Sequence, residues 1–407
     1  MANRTQILQL VVLVLVIAGC SERGNETAGG AEKPLADVVT LELTFGDSDL
    51  ADDFLLVSPF WLGIGVAPDG RILVADENWI KVFDPYGNPI RRFGGTGDGP
   101  GEFRRARDLF ISPDGYITVF GGQIGYSAHF FRPDYSFIER MDYRQAPPYQ
   151  YLLQANELRP DRPEAVFCLN ESDRLYIAPA IDLDRERRNH REVFLIHERD
   201  GSVEALAHNQ QTDGIDGPNG PVVYMPALGV QLVVPLPRNR AAYIHGYHDS
   251  RTHEAGSEYT LTIIDLQSYE RTTISHAYVP QLLQWESPEY DDDYKQQYPE
   301  QWQRMQEQFE IAARGIEERR YAVPVVRLEA DGPYVFAFTT TSNDSSEALV
   351  DVFDTDASCY VCSAWFPSVY QGSVRNGTYC VFNEFRMVED FPRVLKYRID
   401  PRVYGRR

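Results

Sequence analysis

Residues 66–94 read VAPDGRILVADENWIKVFDPYGNPIRRFG, and 45 residues further on, from 111 to 141, the chain reads ISPDGYITVFGGQIGYSAHFFRPDYSFIERM. In the first copy Asp69-Gly70 makes a tight turn, Ile72 and Val74 alternate along a strand, Val82 and Phe83 start another, and Tyr86-Gly87-Asn88 turns the chain again. Such a unit is a small antiparallel sheet that cannot bury its own faces. Several must stand side by side around an axis before a core exists, and a repeat near this period marks a propeller blade.

Outward from this pair, weaker copies keep the same order. A third unit runs from ESDRLYIAPA (171–180), where Arg174-Leu175-Tyr176-Ile177-Ala178 matches Arg71 to Ala75, to VFLIHERDGSV. A fourth runs from GVQLVVPLP through AAYIHGYH to YTLTIIDLQSYERTTI, and a fifth has VVRLEADGPYVFAF (325–338) and LVDVFDTDASCYVCSAWF. A sixth, degenerate unit is SVRNGTYCVFNEF with PRVLKYRID. The expectation is an all-β, six-bladed propeller of four-stranded antiparallel blades over residues 38–400. VVTLELTFGD (38–47) alternates apolar with polar and is expected to supply the outer strand of the last blade, closing the ring and leaving no free sheet edge. Residues 284–320 lack strand alternation and place Trp302, Met305, Phe309 and Ala312 at helical steps, so a helical insertion is expected between blades 4 and 5, as a cap on the ring or as a lid or docking helix.

Ahead of the fold, Arg4, the apolar run Leu8 to Ile17 and Ile17-Ala18-Gly19-Cys20 form a secretory signal over residues 1–20. It resembles a bacterial lipoprotein signal. The resemblance implies a lipid on Cys20, and Ser21 after it favours the outer membrane, which makes the chain a cell-envelope lipoprotein with an extracytoplasmic domain. Residues 21–37 are small and polar and read as a flexible tether. With 60 Asp plus Glu against 39 Lys plus Arg, the net charge of −21 argues against nucleic acid as a partner, since phosphate contacts need a basic face.

The run Asp69 to Asp76, Val82-Phe83-Asp84 with Gly87, and Phe93-Gly94-Gly95-Thr96-Gly97-Asp98-Gly99-Pro100-Gly101-Glu102-Phe103 together resemble the six-bladed propellers with NHL-type repeats, in particular bacterial lipoprotein members. The resemblance implies a binding or interaction protein. Some relatives are metal-dependent lactonases or peptide-amidating lyases with the metal at the central channel, which gives the alternative reading of a hydrolase or lyase holding calcium or zinc.

Candidate chemistry is sparse. GGTGDGPG (94–101) lacks the Lys-Ser or Lys-Thr and the helix start of a phosphate loop, and reads as a link between blades that needs positive dihedrals. Arg104, Arg105 and Arg107 follow it and are candidates for an anionic ligand near the channel mouth, or else a solvated cluster. His245, His248, His253 and Glu254 crowd one hairpin and are candidate metal ligands, although their spacing matches no established motif. Trp61, Trp79, Tyr86, Tyr126 and Tyr135 sit near turns as wedge fillers or ligand-lining groups. Cys168, Cys359, Cys362 and Cys380 allow two disulfides in three pairings, or free thiols, and Cys359 and Cys362 fall on an outer strand with their side chains on opposite faces. No Gly-x-Ser-x-Gly elbow or Ser, His, Asp arrangement stands out in the sequence. These observations point to a ring whose work is binding a protein partner or a small ligand at one face, with no catalytic set assigned.

Overall fold

Asp69-Gly70 and Asp114-Gly115 close the first hairpin of their sheets, with Gly70 at φ 84° and Gly115 at φ 86°, a left-handed conformation that glycine adopts without strain. From these turns the chain folds as the repeat predicts. The computed structural model describes residues 33–47, 53–57, 63–97, 99–121, 127–154, 158–182, 191–211, 214–217, 220–252, 256–283, 292–368, 371–383 and 392–406.

Six antiparallel sheets follow one another. From the inner strand outward, blade 1 is Gly63–Val66, Ile72–Asp76, Trp79–Phe83 and Pro89–Gly94, and blade 2 is Ala106–Ile111, Ile117–Gly121, Ser127–Phe131 and Phe137–Asp142. Blade 3 is Ala165–Cys168, Asp173–Asp182, Arg191–Arg199 and Ser202–Gln210, and blade 4 is Gln231–Leu236, Arg240–His245, Ser257–Asp265 and Arg271–Tyr278. Each of these two carries a short fifth strand, Leu158–Pro160 and Ser250–Arg251 respectively. Blade 5 is Val325–Asp331, Tyr334–Ser342, Glu347–Asp354 and Cys359–Pro367. Blade 6 takes Gly372–Arg375, Thr378–Phe382 and Val394–Ile399 from the C-terminal end and its outer strand, Val39–Phe45, from the N-terminal end. That last pairing is antiparallel, from Val39 opposite Ile399 to Phe45 opposite Val394.

The core is not one cluster but six, each shared by two neighbouring blades. Leu73, Phe103, Val119 and Phe131 fill the space between blades 1 and 2; Phe120, Phe130, Tyr176 and Ile196 that between 2 and 3. Leu175, Leu195 and Ile264 join 3 to 4, and Tyr259, Leu261, Val335 and Phe353 join 4 to 5. Phe336, Phe366 and Tyr379 join 5 to 6, and Phe45, Ile72, Phe83 and Val394 join 6 back to 1. This explains why Ile72–Asp76 is buried at every position although its residues alternate. Ile72 and Val74 face blade 6, while Leu73 and Ala75 face blade 2, so the two-residue period sorts side chains between two interfaces.

The link between blades 1 and 2 is built around Phe103, which is buried beneath it. Gly94 sits at φ 100°, and a Cβ there would lie 2.6 Å from the Phe103 ring, so the glycine run serves the turn. Among the described residues a short helix, Pro147–Gln154, lies between blades 2 and 3, and two larger segments leave the ring. The hairpin of Gly214–Gly217 and Gly220–Tyr224 stands between blades 3 and 4, and the helices Asp292–Gln297 and Pro299–Arg319 stand between blades 4 and 5. The long helix docks on the hairpin through Ile316, with Ile215, Met225 and Leu228. Gly315 permits this close approach, since a Cβ there would lie 2.6 Å from the Ile215 side chain. Of the expected stripe only Ala312 is fully buried, while Trp302, Met305 and Phe309 are half-buried, because the helix is pinned by its C-terminal turns. Among the described residues no helix is long and apolar enough to cross a membrane.

Among the aromatics near turns, Tyr135 fills the wedge between blades 1 and 2, and Trp79 is half-buried beneath Arg92, 4.3 Å from its ring. Tyr86 is 77% exposed and fills nothing, because the turn that holds it points into solvent. Trp61 and Tyr126 lie outside the described residues. Cys168, Cys359, Cys362 and Cys380 are free thiols; Cys359 and Cys362 lie on the outer strand of blade 5.

Candidate functional site

The inner strand of every blade starts on the face that carries the links between blades and runs toward the face with the first hairpins. Around the axis these strands enclose a cavity of about 310 Å³ lined by all six blades. Its packing is tight on one side. Cβ atoms at Gly63 and Gly65 would come within 2.5 Å of the Arg107 carbonyl oxygen and 2.7 Å of Ile111 Cδ1, so only glycine lets the inner strands of blades 1 and 2 approach this closely.

The lining is two-sided in chemistry. Phe110, Phe167, Leu232 and Val234 present apolar surface from blades 2, 3 and 4. Arg327 and Glu329 of blade 5, Ser373 and Arg375 of blade 6 and Asp108 of blade 2 supply the polar groups. Both cations are committed to the protein. The Arg327 guanidinium lies 3.7 Å from the Phe338 ring centroid and donates to Tyr379 Oη at 3.1 Å. Arg375 reaches past blade 1 and donates to the carbonyl oxygens of Ser112 at 2.9 Å and Ile111 at 3.2 Å, lying across the hairpin end of the channel. Ser373 Oγ accepts from the Val66 N–H at 3.1 Å, tying blade 6 to blade 1.

The carboxyl groups are less well served. Glu329 is half-buried and accepts one long hydrogen bond, from the Val374 N–H at 3.4 Å. Desolvation pushes its pKa up to about 7, against the opposing pull of Arg327 and Arg375. Asp108 takes no hydrogen bond from any described residue, and burial raises its pKa although Arg107 and Arg162 lie near. Asp331, one step below Glu329 on the same face of its strand, shows the contrast. It accepts from the N–H groups of Asn376 and Gly377, each at 2.8 Å, and from Tyr404 Oη at 2.7 Å, which makes it a strut between blades 5 and 6.

A second cavity, of about 510 Å³, opens among the first and last hairpins of blades 2 to 4. Its two arginines are paired, Arg199 with Asp173 at 3.1 Å and Arg240 with Asp356 at 2.6 Å.

The residues expected from sequence are placed as follows. Arg104 and Arg105 are exposed on the link, while Arg107 is half-buried on the inner strand of blade 2, next to Asp108 at the channel. His245 is fully buried at the end of a blade 4 strand, and its Nδ1 accepts from the N–H groups of Tyr247 at 3.3 Å and His248 at 3.2 Å. That fixes the tautomer with hydrogen on Nε2, and burial beside His248 pushes the pKa down to about 3. His248 donates from Nε2 to the Gln210 carbonyl at 3.0 Å. One nitrogen of each ring is therefore already engaged by the protein, that of His245 within its own hairpin and that of His248 on the outer strand of blade 3. His253, Glu254 and Cys20 lie outside the described residues. Among the described residues no three His, Cys, Asp or Glu side chains converge as a metal site would require.

Sequence reasoning missed Asp108, Glu329, Ser373 and Arg375. A signal existed in blade 5, where Val325–Asp331 reads VVRLEAD and sets charges at every second position of a strand that begins a sheet.

No protein-family model matches the chain, and no curated protein does. Among solved structures it is similar to a Bacteroides fragilis protein crystallised as a candidate exported protein, at 11% identity, covering 89% of this chain and 96% of that one, with a TM-score of 0.44. A chain of a mitotic checkpoint complex is similar at 8% identity, 93% and 100% coverage and a TM-score of 0.42. BamB from Moraxella catarrhalis is similar at 8% identity, 89% and 100% coverage and a TM-score of 0.34.

Proposed function

We propose that this chain is a ligand-binding module of the cell envelope, held to a membrane by a lipid on Cys20 and taking a small molecule into the channel of its propeller. The observation that carries the reading is the axial cavity, whose 310 Å³ sits at the low end of the range for small-molecule sites. Its wall is apolar on one side and carries a few convergent polar groups on the other, as such sites require. The lipobox at Ile17-Ala18-Gly19-Cys20 supports the anchor.

A ligand that binds only the folded chain raises its melting temperature by mass action. A library of small metabolites screened against the wild type and Leu232→Trp, which fills the channel, tests the reading. At least one compound is expected to raise the melting temperature of the wild type and not of the variant. A library without such a compound sinks the channel reading. Replacing Cys20 by Ser is expected to move the chain from the membrane fraction to the soluble one; retention in the membrane overturns the anchor.

A further inference from the structure

Beyond the channel, we infer that the helical insertion completes a second binding site, one for a carboxylate group, which bridges the Nε2–H of His245 and the Nη1–H of Arg319. The site lies where the second strand of blade 4 ends, on the face that carries the links between blades, and neither residue lines the channel.

Two donors from different elements carry the inference. His245 is wholly buried, and with two backbone N–H groups on its Nδ1 it carries its hydrogen on Nε2, which meets no acceptor among the described residues. Arg319 is the last residue of the long helix, and its Nη1 is also out of solvent and without an acceptor among them. The two belong to one place. The Arg319 guanidinium lies 4.8 Å from the Tyr247 ring centroid, the Tyr247 N–H donates to His245 Nδ1, and the charge of Arg319 acts on the His245 imidazole. Buried donors are normally paired, so an arginine and a histidine orphaned side by side call for a shared acceptor.

The chemistry of that acceptor follows from charge and count. Burial, with His248 and Arg319 nearby, keeps the His245 imidazole neutral, so the positive charge here is that of Arg319, and no carboxylate of the described residues pairs with it. Asp249 accepts from the His245 backbone N–H at 2.7 Å and bonds to neither donor. One charge and two N–H groups suit a monoanion with two acceptor atoms, one for each donor, which is a carboxylate. The docking of the insertion makes the site. Ile316 seats the helix on the hairpin that follows blade 3, Gly315 permits the close approach, and Arg319, three residues on, is thereby set over Tyr247.

The test uses the full chain in detergent and titrates acetate against chloride at equal ionic strength, with acetamide added to the chloride buffer as the neutral probe of the same shape, all followed by melting temperature. Acetate is expected to raise the melting temperature above that in chloride, and acetamide is not. Arg319→Gln is expected to weaken the acetate effect at least tenfold and Arg319→Lys, which keeps the charge, to weaken it less, while both variants melt cooperatively. Leu232→Trp, which fills the channel, should leave it unchanged. A rise shared equally by the wild type and Arg319→Gln is a salt effect on the whole surface and overturns the site. So does a response to chloride or acetamide that matches the response to acetate, or no response to any of them. If Leu232→Trp abolishes the acetate effect, the carboxylate binds in the channel, and this inference falls while the channel reading stands.

Discussion

Lys81 and Asp76 show at the residue scale how a blade tolerates charge inside it. The Lys81 Nζ lies 2.7 Å from Asp76 Oδ2 and 2.5 Å from the Leu55 carbonyl, and the same carboxylate oxygen accepts from the Val57 N–H at 3.1 Å. Their side chains are 6% and 0% exposed, so neither charge is shared with water. Together they staple the segment before blade 1 onto its second and third strands. Removing one partner of a buried pair leaves an uncompensated charge, at a cost of about 3–5 kcal/mol. Lys81→Met is therefore expected to lower the urea midpoint by that equivalent at pH 7. The double change Asp76→Asn with Lys81→Met removes both charges and retains a carbonyl acceptor for the Val57 N–H, and should recover most of the loss. A single-variant loss below about 1 kcal/mol would show that water reaches the pair.

At the scale of elements, what was legible in the sequence depended on how local its cause was. Asp-Gly turns and alternating strands are written in neighbouring residues, so blades 1 and 2 could be read outright and the weaker blades in order. Residues 38–47 could be given to the last blade because a closed ring needs one more outer strand than the C-terminal unit supplies. The hairpin of Gly214–Gly217 and Gly220–Tyr224 was not foreseen, since its short, glycine-rich strands give no period, and the helix that packs on it was read without its partner. The helix's face was read correctly, but how deeply each of its residues is buried was not foreseen, for the same reason. Trp302, Met305 and Phe309 satisfy the helical period as well as Ala312 and Ile316 do, and only the position of Ile215 decides which of them is buried. The channel groups were harder still. Asp108 and Glu329 lie 221 residues apart in number (108 to 329) and line one cavity only because every blade sends its inner strand to the axis. The clustered histidines and arginines stood out in the sequence because they were adjacent. Adjacency is a poor guide in a propeller, where a site at the axis takes one or two residues from each blade.

For the whole molecule the decisive contact is the one that makes an array into a ring. Val39–Phe45 pairs with Val394–Ile399, Glu42 lies 3.4 Å from Lys396 and 3.1 Å from Arg398, and Phe45 enters the wedge between blades 6 and 1 with its ring 4.8 Å from Phe83. Without this strand the wedge loses a buried aromatic, worth about 3–5 kcal/mol, and the edge of Val394–Ile399 is bared to other chains. A chain starting at Gly46 is thus expected to unfold at a lower urea concentration and to self-associate, as sedimentation velocity would record. A peptide of residues 38–47 supplied in trans should restore both the midpoint and the monomer by adding itself as the missing strand, whereas a peptide with Phe45 replaced by Ala should be far weaker. If the shortened chain stays monomeric with an unchanged midpoint, the six wedges hold the ring without a seam, and the N-terminal strand is a passenger on blade 6. If the peptide rescues it, closure and stability are the same interaction. The channel on the axis then owes its shape to a strand that lines none of it.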